Sequence, residues 1–254
     1  MAQDAPKEAV ASSQELAKKI SNPVADIITM PIEFNFDQHL GALNGDRYYA
    51  NLIPVVPFHL NDDWNIVSRT VIPVVQQNRI YKDELSEFGL GDATESIFLS
   101  PSLPTDDGVL WGVGPAFLIP LATDDRLGHE KWGAGPTGVI IRQTPSGWTY
   151  GIYANHLWSI DGTRRRGNVS QTFVEPFVAY TTPSAVTYTV KVESTYDWEA
   201  RQRWTVPVTV TVGKLLHLGR LPINLAGGVR GFMASPDSGA DWGLRLTVTF
   251  ILPK

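Results

Sequence analysis

Nine charged residues, Glu33, Asp37, Arg69, Glu95, Glu175, Lys191, Glu193, Arg230 and Arg245, sit inside stretches that are otherwise largely apolar. A charge in that setting must reach water or an opposite charge, because burying it alone is costly. The set holds five acids and four bases. If these side chains converge on one space, either they neutralise one another as ion pairs, or part of the set lines a narrow polar path that sorts solutes by charge and size. The near balance of signs predicts no strong ion preference.

A second chemistry is suggested by Asn155-His156-Leu157-Trp158-Ser159, which contains the residue types of a nucleophile, a base and an orienting amide. In an extended strand His156 and Ser159 differ in parity and point to opposite faces, so hydrolysis would need a bulge or loop to reunite them. His39, His59, His129, His156 and His217 are scattered without metal-ligand spacing. Asp37-x-His39 reads as a solvated pair near a loop. Cysteine is absent, which removes thiol nucleophiles, disulfides and Cys-ligated metals. No cofactor is expected. Arg164-Arg165-Arg166 has the chemistry to meet phosphate groups, since guanidinium pairs with phosphate in a bidentate way. Asp106-Asp107 and Asp124-Asp125 read as turn residues that bond their own backbone.

The elements that must position these residues follow from periodicity. One helical pattern covers residues 12 to 21: Ser12 and Glu15 fit a capping box, Leu16 and Ile20 share a face, and Asn22-Pro23 stops the run. From Ile27 onward the chain alternates apolar and polar residues in twelve segments, approximately 27-39, 46-59, 63-77, 89-101, 107-120, 131-143, 147-160, 168-182, 185-198, 203-214, 219-233 and 240-252. In the last of these, Leu244, Leu246, Val248, Phe250 and Leu252 oppose Gly243, Arg245, Thr247 and Thr249. Val206, Val208, Val210 and Val212 likewise oppose Thr205, Thr209 and Thr211.

A soluble sandwich would also alternate. The tryptophans discriminate, because interfacial girdles place Trp at strand ends. Trp64, Trp111 and Trp148 fall toward one set of ends, and Trp132, Trp158, Trp198, Trp204 and Trp242 toward the other. Connections at Asn61-Asp62, Pro101 to Asp106, Pro145-Ser146, Pro183-Ser184 and Leu215 to Leu218 are mostly tight. Those at Gln77 to Phe88, Leu121 to Glu130, Asp161 to Gly167 and Ala234 to Ala240 are mostly longer. The expectation is an all-β transmembrane antiparallel up-and-down barrel of about 12 strands spanning residues 27-254, preceded by an N-terminal segment, 1-26, with a short helix.

If apolar faces meet lipid, the nine charges face the lumen. Glu95 joins them only if a bulge turns it away from Ile97 and Leu99. Pro54, Pro73, Pro115, Pro136, Pro176, Pro207 and Pro222 fall inside strands and predict kinks or bulges, with Gly112-x-Gly114-Pro115 and Gly133-x-Gly135-Pro136 as two such features on neighbouring strands. The net charge of -5 and pI near 5.5 give no basic face for nucleic acid. A mean hydropathy of -0.08 fits a barrel, whose two faces average out. Met1-Ala2-Gln3-Asp4-Ala5 reads as an exported N-terminus carrying an added start Met after signal cleavage.

Several motifs carry a family resemblance: Asn22-Pro-Val-Ala-Asp-Ile, DDWNIVSRTVIPV from Asp62, FGLGDATESIFLSP from Phe88, WGVGPAFLIPLATDD from Trp111, WGAGPTGV from Trp132, STYDWEA from Ser194 and WGLRLTVTF from Trp242. Nearly the whole chain resembles a bacterial outer-membrane family labelled "transporter", related to the phenol meta-pathway outer-membrane proteins. The resemblance implies a barrel in the outer membrane of Gram-negative bacteria with a passage role, and carries over no catalytic or binding residues. Outer-membrane chains of this kind end on an aromatic residue, whereas Phe250 is followed here by Ile-Leu-Pro-Lys.

The functional expectation is a passive channel or transporter for small solutes, its lumen lined by mixed charges. The alternatives are a plugged structural or partner-docking barrel without transport and, beyond that, a lipase-like outer-membrane enzyme; a soluble β-sandwich binding module also fits the alternation. Expected partners are outer-membrane lipid, lipopolysaccharide at Arg164, Arg165 and Arg166, and an unnamed small solute.

Overall fold

The computed structural model describes residues 5–80 and 85–252, with helix side chains from Ser13 onward. The N-terminal Met1 to Asp4, part of the 77-88 loop and the final Pro253-Lys254 lie outside the described residues. Helix α1 (Ala5–Ile20) precedes fifteen strand segments. These are β1 (Ile28–Leu40), β2 (Gly45–Leu52), β3 (Val55–His59), β4 (Trp64–Asn78), β5 (Ser86–Leu90), β6 (Ala93–Pro101), β7 (Val109–Ile119) and β8 (Lys131–Gln143) in the first half. The second half contributes β9 (Trp148–Gly162), β10 (Ser170–Thr181), β11 (Val186–Val192), β12 (Ser194–Asp197), β13 (Trp204–Leu218), β14 (Leu221–Ala234) and β15 (Trp242–Leu252).

Three neighbouring pairs, β2/β3, β5/β6 and β11/β12, are single barrel strands interrupted at Ile53-Pro54, Gly91-Asp92 and Glu193, so the ring has 12 strands. Every pairing is antiparallel, and β15 closes the ring on β1 from Ile28↔Leu252 to Gln38↔Trp242. Closure leaves no edge strand, which is what lets a sheet satisfy its backbone within hydrocarbon. No described helix is long and apolar enough to cross a membrane; the strands do the crossing.

Local chemistry explains the breaks. Pro54 cannot donate to the ladder, so the chain steps from β2 to β3 there, while its carbonyl still accepts from Thr70 N at 3.1 Å. Pro115 and Pro136 lie directly opposite each other between β7 and β8. The outer ladders skip Ile97-Phe98 against Gly114-Pro115, and Gly135-Pro136 against His156-Leu157, yet resume in the same register. The expected bulges are therefore in-register interruptions. Close backbone approach replaces them: a Cβ on Gly114 would sit 1.9 Å from Ile97 O, and one on Gly135 1.8 Å from His156 O. True register shifts occur at two of the expected places, Val206/Pro207 and the start of the Gly133 stretch at Trp132/Gly133, and also between Gln38 and Leu40.

The helix is longer than the capping box predicts. It starts at Ala5, so Ser12 lies within it and not at its N-terminus. Ala5, Ala9 and Ala11 favour helix, and Pro6 is tolerated in a first turn. The tight connection expected at Leu215 to Leu218 also moves. Those residues continue β13, and the turn falls at Gly219-Arg220, where Gly219 takes φ 63°.

Three short turns share one design. Thr105, Thr144 and Thr182 accept, through their side-chain oxygens, the backbone N–H of Val109, Trp148 and Val186, each at 3.1 Å. The last turn residue of each, Gly108, Gly147 and Ala185, is left-handed. This is the rim that holds α1. Leu16, Ala17 and Ile20 pack on Ala185, Leu215 and Ile251. Lys18 Nζ donates to Thr144 O at 2.8 Å, and Gln143 Nε2 donates to Lys18 O at 2.7 Å.

Candidate functional site

Alternation around the ring assigns each side chain to lipid or lumen. On the outer face Trp132, Trp148, Trp158, Trp198, Trp204 and Trp242 are each at least 40% exposed. Trp64 stacks edge-on against Trp111 at 5.8 Å on the short-turn rim. Near the other rim Tyr196 meets Trp198 and Trp204 at 4.7 and 4.8 Å. The exposed valines and leucines, such as Val210, Val212, Leu244 and Leu246, fill the belt between the two groups. This is an apolar band flanked by aromatic girdles, the surface of an outer-membrane barrel.

Eight of the nine expected charges face the lumen, and seven of them meet in ion pairs. Arg245 Nη1 donates to both carboxylate oxygens of Glu193, at 2.9 and 3.0 Å, while its Nε donates to Asn35 Oδ1 at 2.7 Å. Lys191 Nζ lies 3.4 Å from Glu33, and 3.9 Å from each of Glu175 and Glu193. Nearer the long-loop mouth Asp37 is held between Arg230 at 3.1 Å and Arg47 at 3.3 Å. Arg230 also donates to Asn35 and Tyr49. Arg69 stands apart. Its guanidinium lies 5.1 Å from the Tyr153 ring centre, and no carboxylate of the described residues is within 4.0 Å of it.

Glu95 does not join this set. In the β4–β6 register it faces Thr70, and Arg69 faces Ser96, so Glu95 lies on the lipid side. There Ser68 Oγ and Thr70 Oγ1 donate to its two carboxylate oxygens at 2.6 and 2.5 Å. The expected bulge beside it is missing, and two hydroxyls on β4 satisfy the carboxyl in place.

All the lumen charges but Arg69, which stands on β4, occupy one wall, on β1, β2, β10, β11, β14 and β15 and at Glu193 between β11 and β12. The opposite wall, on β3, β4 and β6 to β9, is apolar, with Val55, Val67, Phe98, Val139, Ile141 and Tyr153 buried together. Alternation could not reveal this wall, because strands β6 to β9 carry apolar residues on both faces. Arg47, Asn35 and Tyr49 were also absent from the expected set. Asn35 shares parity with Glu33 and Asp37, which was the available signal; Arg47 is identified only by its register with Asp37.

Vertically, the lumen is divided. A lower chamber of about 200 Å³ lies between α1 and the charge layer, lined by Ala17, Ile20, Thr29, Phe177 and Thr249 among others. An upper chamber of about 270 Å³ lies beyond it, with Asn51, Val71, Thr94, Asn155 and Gln171 in its wall. Glu33, Ile53, Arg69, Glu175 and Lys191 border both, and so form the partition. A third space of about 300 Å³ at the long-loop mouth is lined by Arg47, Tyr49 and Gln77, with Arg126 and Leu127 from the 120–130 loop. That loop is tied down. Asp92 accepts from His129 N at 2.6 Å, Arg126 lies 3.5 Å from buried Glu87, and Arg166 donates to the carbonyls of Asp125 and Gly128. Arg166 is thus occupied within the loops, while Arg164 and Arg165 remain exposed.

The three residues of the hydrolase-like stretch go separate ways. His156 Nδ1 pairs with Thr172 Oγ1 at 2.7 Å, and its ring lies 4.0 Å from that of Trp158. Ser159 Oγ accepts from Val169 N, and Asn155 Nδ2 donates to Tyr153 Oη. Asp37 and His39 are likewise apart, since His39 pairs with Asp241 at 3.1 Å.

No family model and no curated protein matches this sequence. Among solved structures the fold is similar to an outer membrane channel from Pseudomonas putida F1, at 13% identity, TM-score 0.69, and 89% and 96% coverage of this chain and that one. It is also similar to the NanC porin, at 11% identity, TM-score 0.53, and 89% and 100% coverage. A third is the Salmonella typhi outer membrane phospholipase dimer with bound calcium, at 12% identity, TM-score 0.52, and 96% and 98% coverage. At these identities the likeness is one of fold. Together with the girdled surface, it makes this chain a β-barrel of the bacterial outer membrane. The narrower kinship with phenol meta-pathway proteins has no counterpart in these comparisons.

Proposed function

We propose that the barrel is a passive channel for small solutes, closed at rest by α1 below and by the charge layer in the middle. The observation that carries this reading is the stacking of three spaces along one lumen, separated by side chains rather than by backbone. A barrel of this width lies between those filled by side chains and the wide water-filled porins. Side-chain partitions can rearrange without unfolding a strand. The motif resemblance to outer-membrane transporters related to phenol meta-pathway proteins supports the same reading. On the outer surface, exposed Arg164 and Arg165 are proposed to meet lipopolysaccharide phosphates.

A filled barrel that works through its loops or partners is the competing reading, favoured by the dense pairing around Glu193 and Arg245. Planar-bilayer recordings of the protein, with the segment through Asn22 present and then deleted, separate the two. The channel reading expects rare openings of the full chain and steady conductance after deletion. Silence in both, with insertion verified, would overturn it.

A further inference from the structure

We propose that the upper chamber binds a small organic monocarboxylate with an apolar, ring-sized body, its carboxylate on Arg69 and its body against Tyr153, Phe173, Leu157 and Val71. This deepens the channel reading by naming a solute class, and rests on it for the site's use in passage. Four observations converge on the chamber.

The first is a cation without a direct ion pair. Each acid of the charge layer has a basic partner: Glu33 at 3.4 Å and Glu175 at 3.9 Å from Lys191, and Glu193 at 2.9 Å from Arg245. Arg69 alone among the bases of this layer has no described carboxylate within 4.0 Å, and it borders the chamber. A guanidinium held away from bulk water gains most from a bidentate anion.

The second is what the cation stands against. Tyr153 is fixed through its hydroxyl, which accepts from Asn155 Nδ2 at 2.7 Å and pairs with Ser96 Oγ at 3.1 Å. Its ring lies 5.7 Å from that of Phe173 and 6.1 Å from that of Phe98. The chamber therefore offers a rigid aromatic and aliphatic wall directly beside the positive group. Pockets for small molecules have this composition, mostly apolar with few polar groups that fix orientation.

Charge sets the third. Glu33, Glu175 and Glu193 border the same chamber, so a second negative charge on the ligand would meet three carboxylates. One carboxylate is favoured over a dianion. Size is the fourth: about 270 Å³ falls below the usual range of drug-sized pockets and suits a single ring or a short branched chain.

The test is calorimetric titration of the full-length protein in detergent with benzoate, against benzyl alcohol, benzylammonium and terephthalate. Benzoate should bind saturably at one site, and each comparison compound roughly ten-fold or more weaker. Arg69→Gln should weaken benzoate roughly ten-fold or more, and Arg69→Lys should keep part of the affinity. Leu157→Trp, which fills the apolar wall and leaves Arg69 in place, should abolish binding. Absence of saturable benzoate binding, equal binding of terephthalate or benzylammonium, or undiminished binding by Arg69→Gln would each overturn the proposal. Because the ligand series uses the unaltered protein, the test stands even if a variant fails to fold. Binding without conductance under any condition would support this site and remove the channel reading; conductance without binding would do the reverse.

Discussion

Arg245 and Arg69 share one lumen, yet their removal leaves different things behind. Without Arg245, the carboxylates of Glu193 and Glu33 and the amide of Asn35 lose a common partner. Breaking a buried pair from one side costs about 3–5 kcal/mol, so Arg245→Ala should lower stability in urea unfolding by about that amount. Arg69→Gln breaks no direct ion pair and should cost under about 1 kcal/mol; a larger loss would mean Arg69 is structural. Glu95 calls for the opposite expectation. On the lipid side, Glu95→Gln keeps an acceptor for Ser68 and Thr70 while removing a carboxyl from the bilayer, and should leave stability in vesicles equal or raised. A loss above about 1 kcal/mol would contradict the outward placement. Its parity with Ile97 and Leu99 points outward, and only its charge argues for the lumen. That inference holds where the inner wall is polar, as for Glu33 and Asp37, and fails beside Val67 and Phe98, where both faces are apolar.

At the scale of elements, the two Gly-x-Gly-Pro stretches mark where β6 to β9 run closest without full pairing. Gly114→Ala would press a methyl into Ile97 O, and backbone cannot yield cheaply there. The expected result is a loss of about 1–3 kcal/mol, read from the temperature at which the folded barrel shifts to the unfolded gel mobility; an unchanged transition would argue against so close an approach. The prolines were visible in the sequence as trouble for a ladder, but not which form the trouble takes. A bulge and an in-register gap have the same composition, and only pairing on both sides of Pro115 and Pro136 distinguishes them. The helix presents a similar limit. Leu16 and Ile20 gave its packing face, whereas its start was misplaced because Ser12 and Glu15 imitate a cap inside a longer helix. Replacing Ile20 with Asp should undock that face and make α1 protease-sensitive while the barrel stays folded.

For the whole molecule, girdles and strand number were legible because the bilayer imposes them on every strand alike. The vertical division into chambers was not, since it depends on how side chains from distant strands meet across the ring. On the channel reading, α1, docked across the short-turn rim, is the lower closure of a solute path. The chain has no cysteine, so a single engineered disulfide can test this in the intact protein. Ala17 and Ala185 are buried in the same cluster, and the pair Ala17→Cys with Ala185→Cys would tether helix to rim. The most direct measurement is the conductance of this variant in a planar bilayer, first oxidised, with cross-linking verified, and then reduced. Silence when oxidised and reversible openings when reduced are expected; equal conductance in both states would contradict closure by α1.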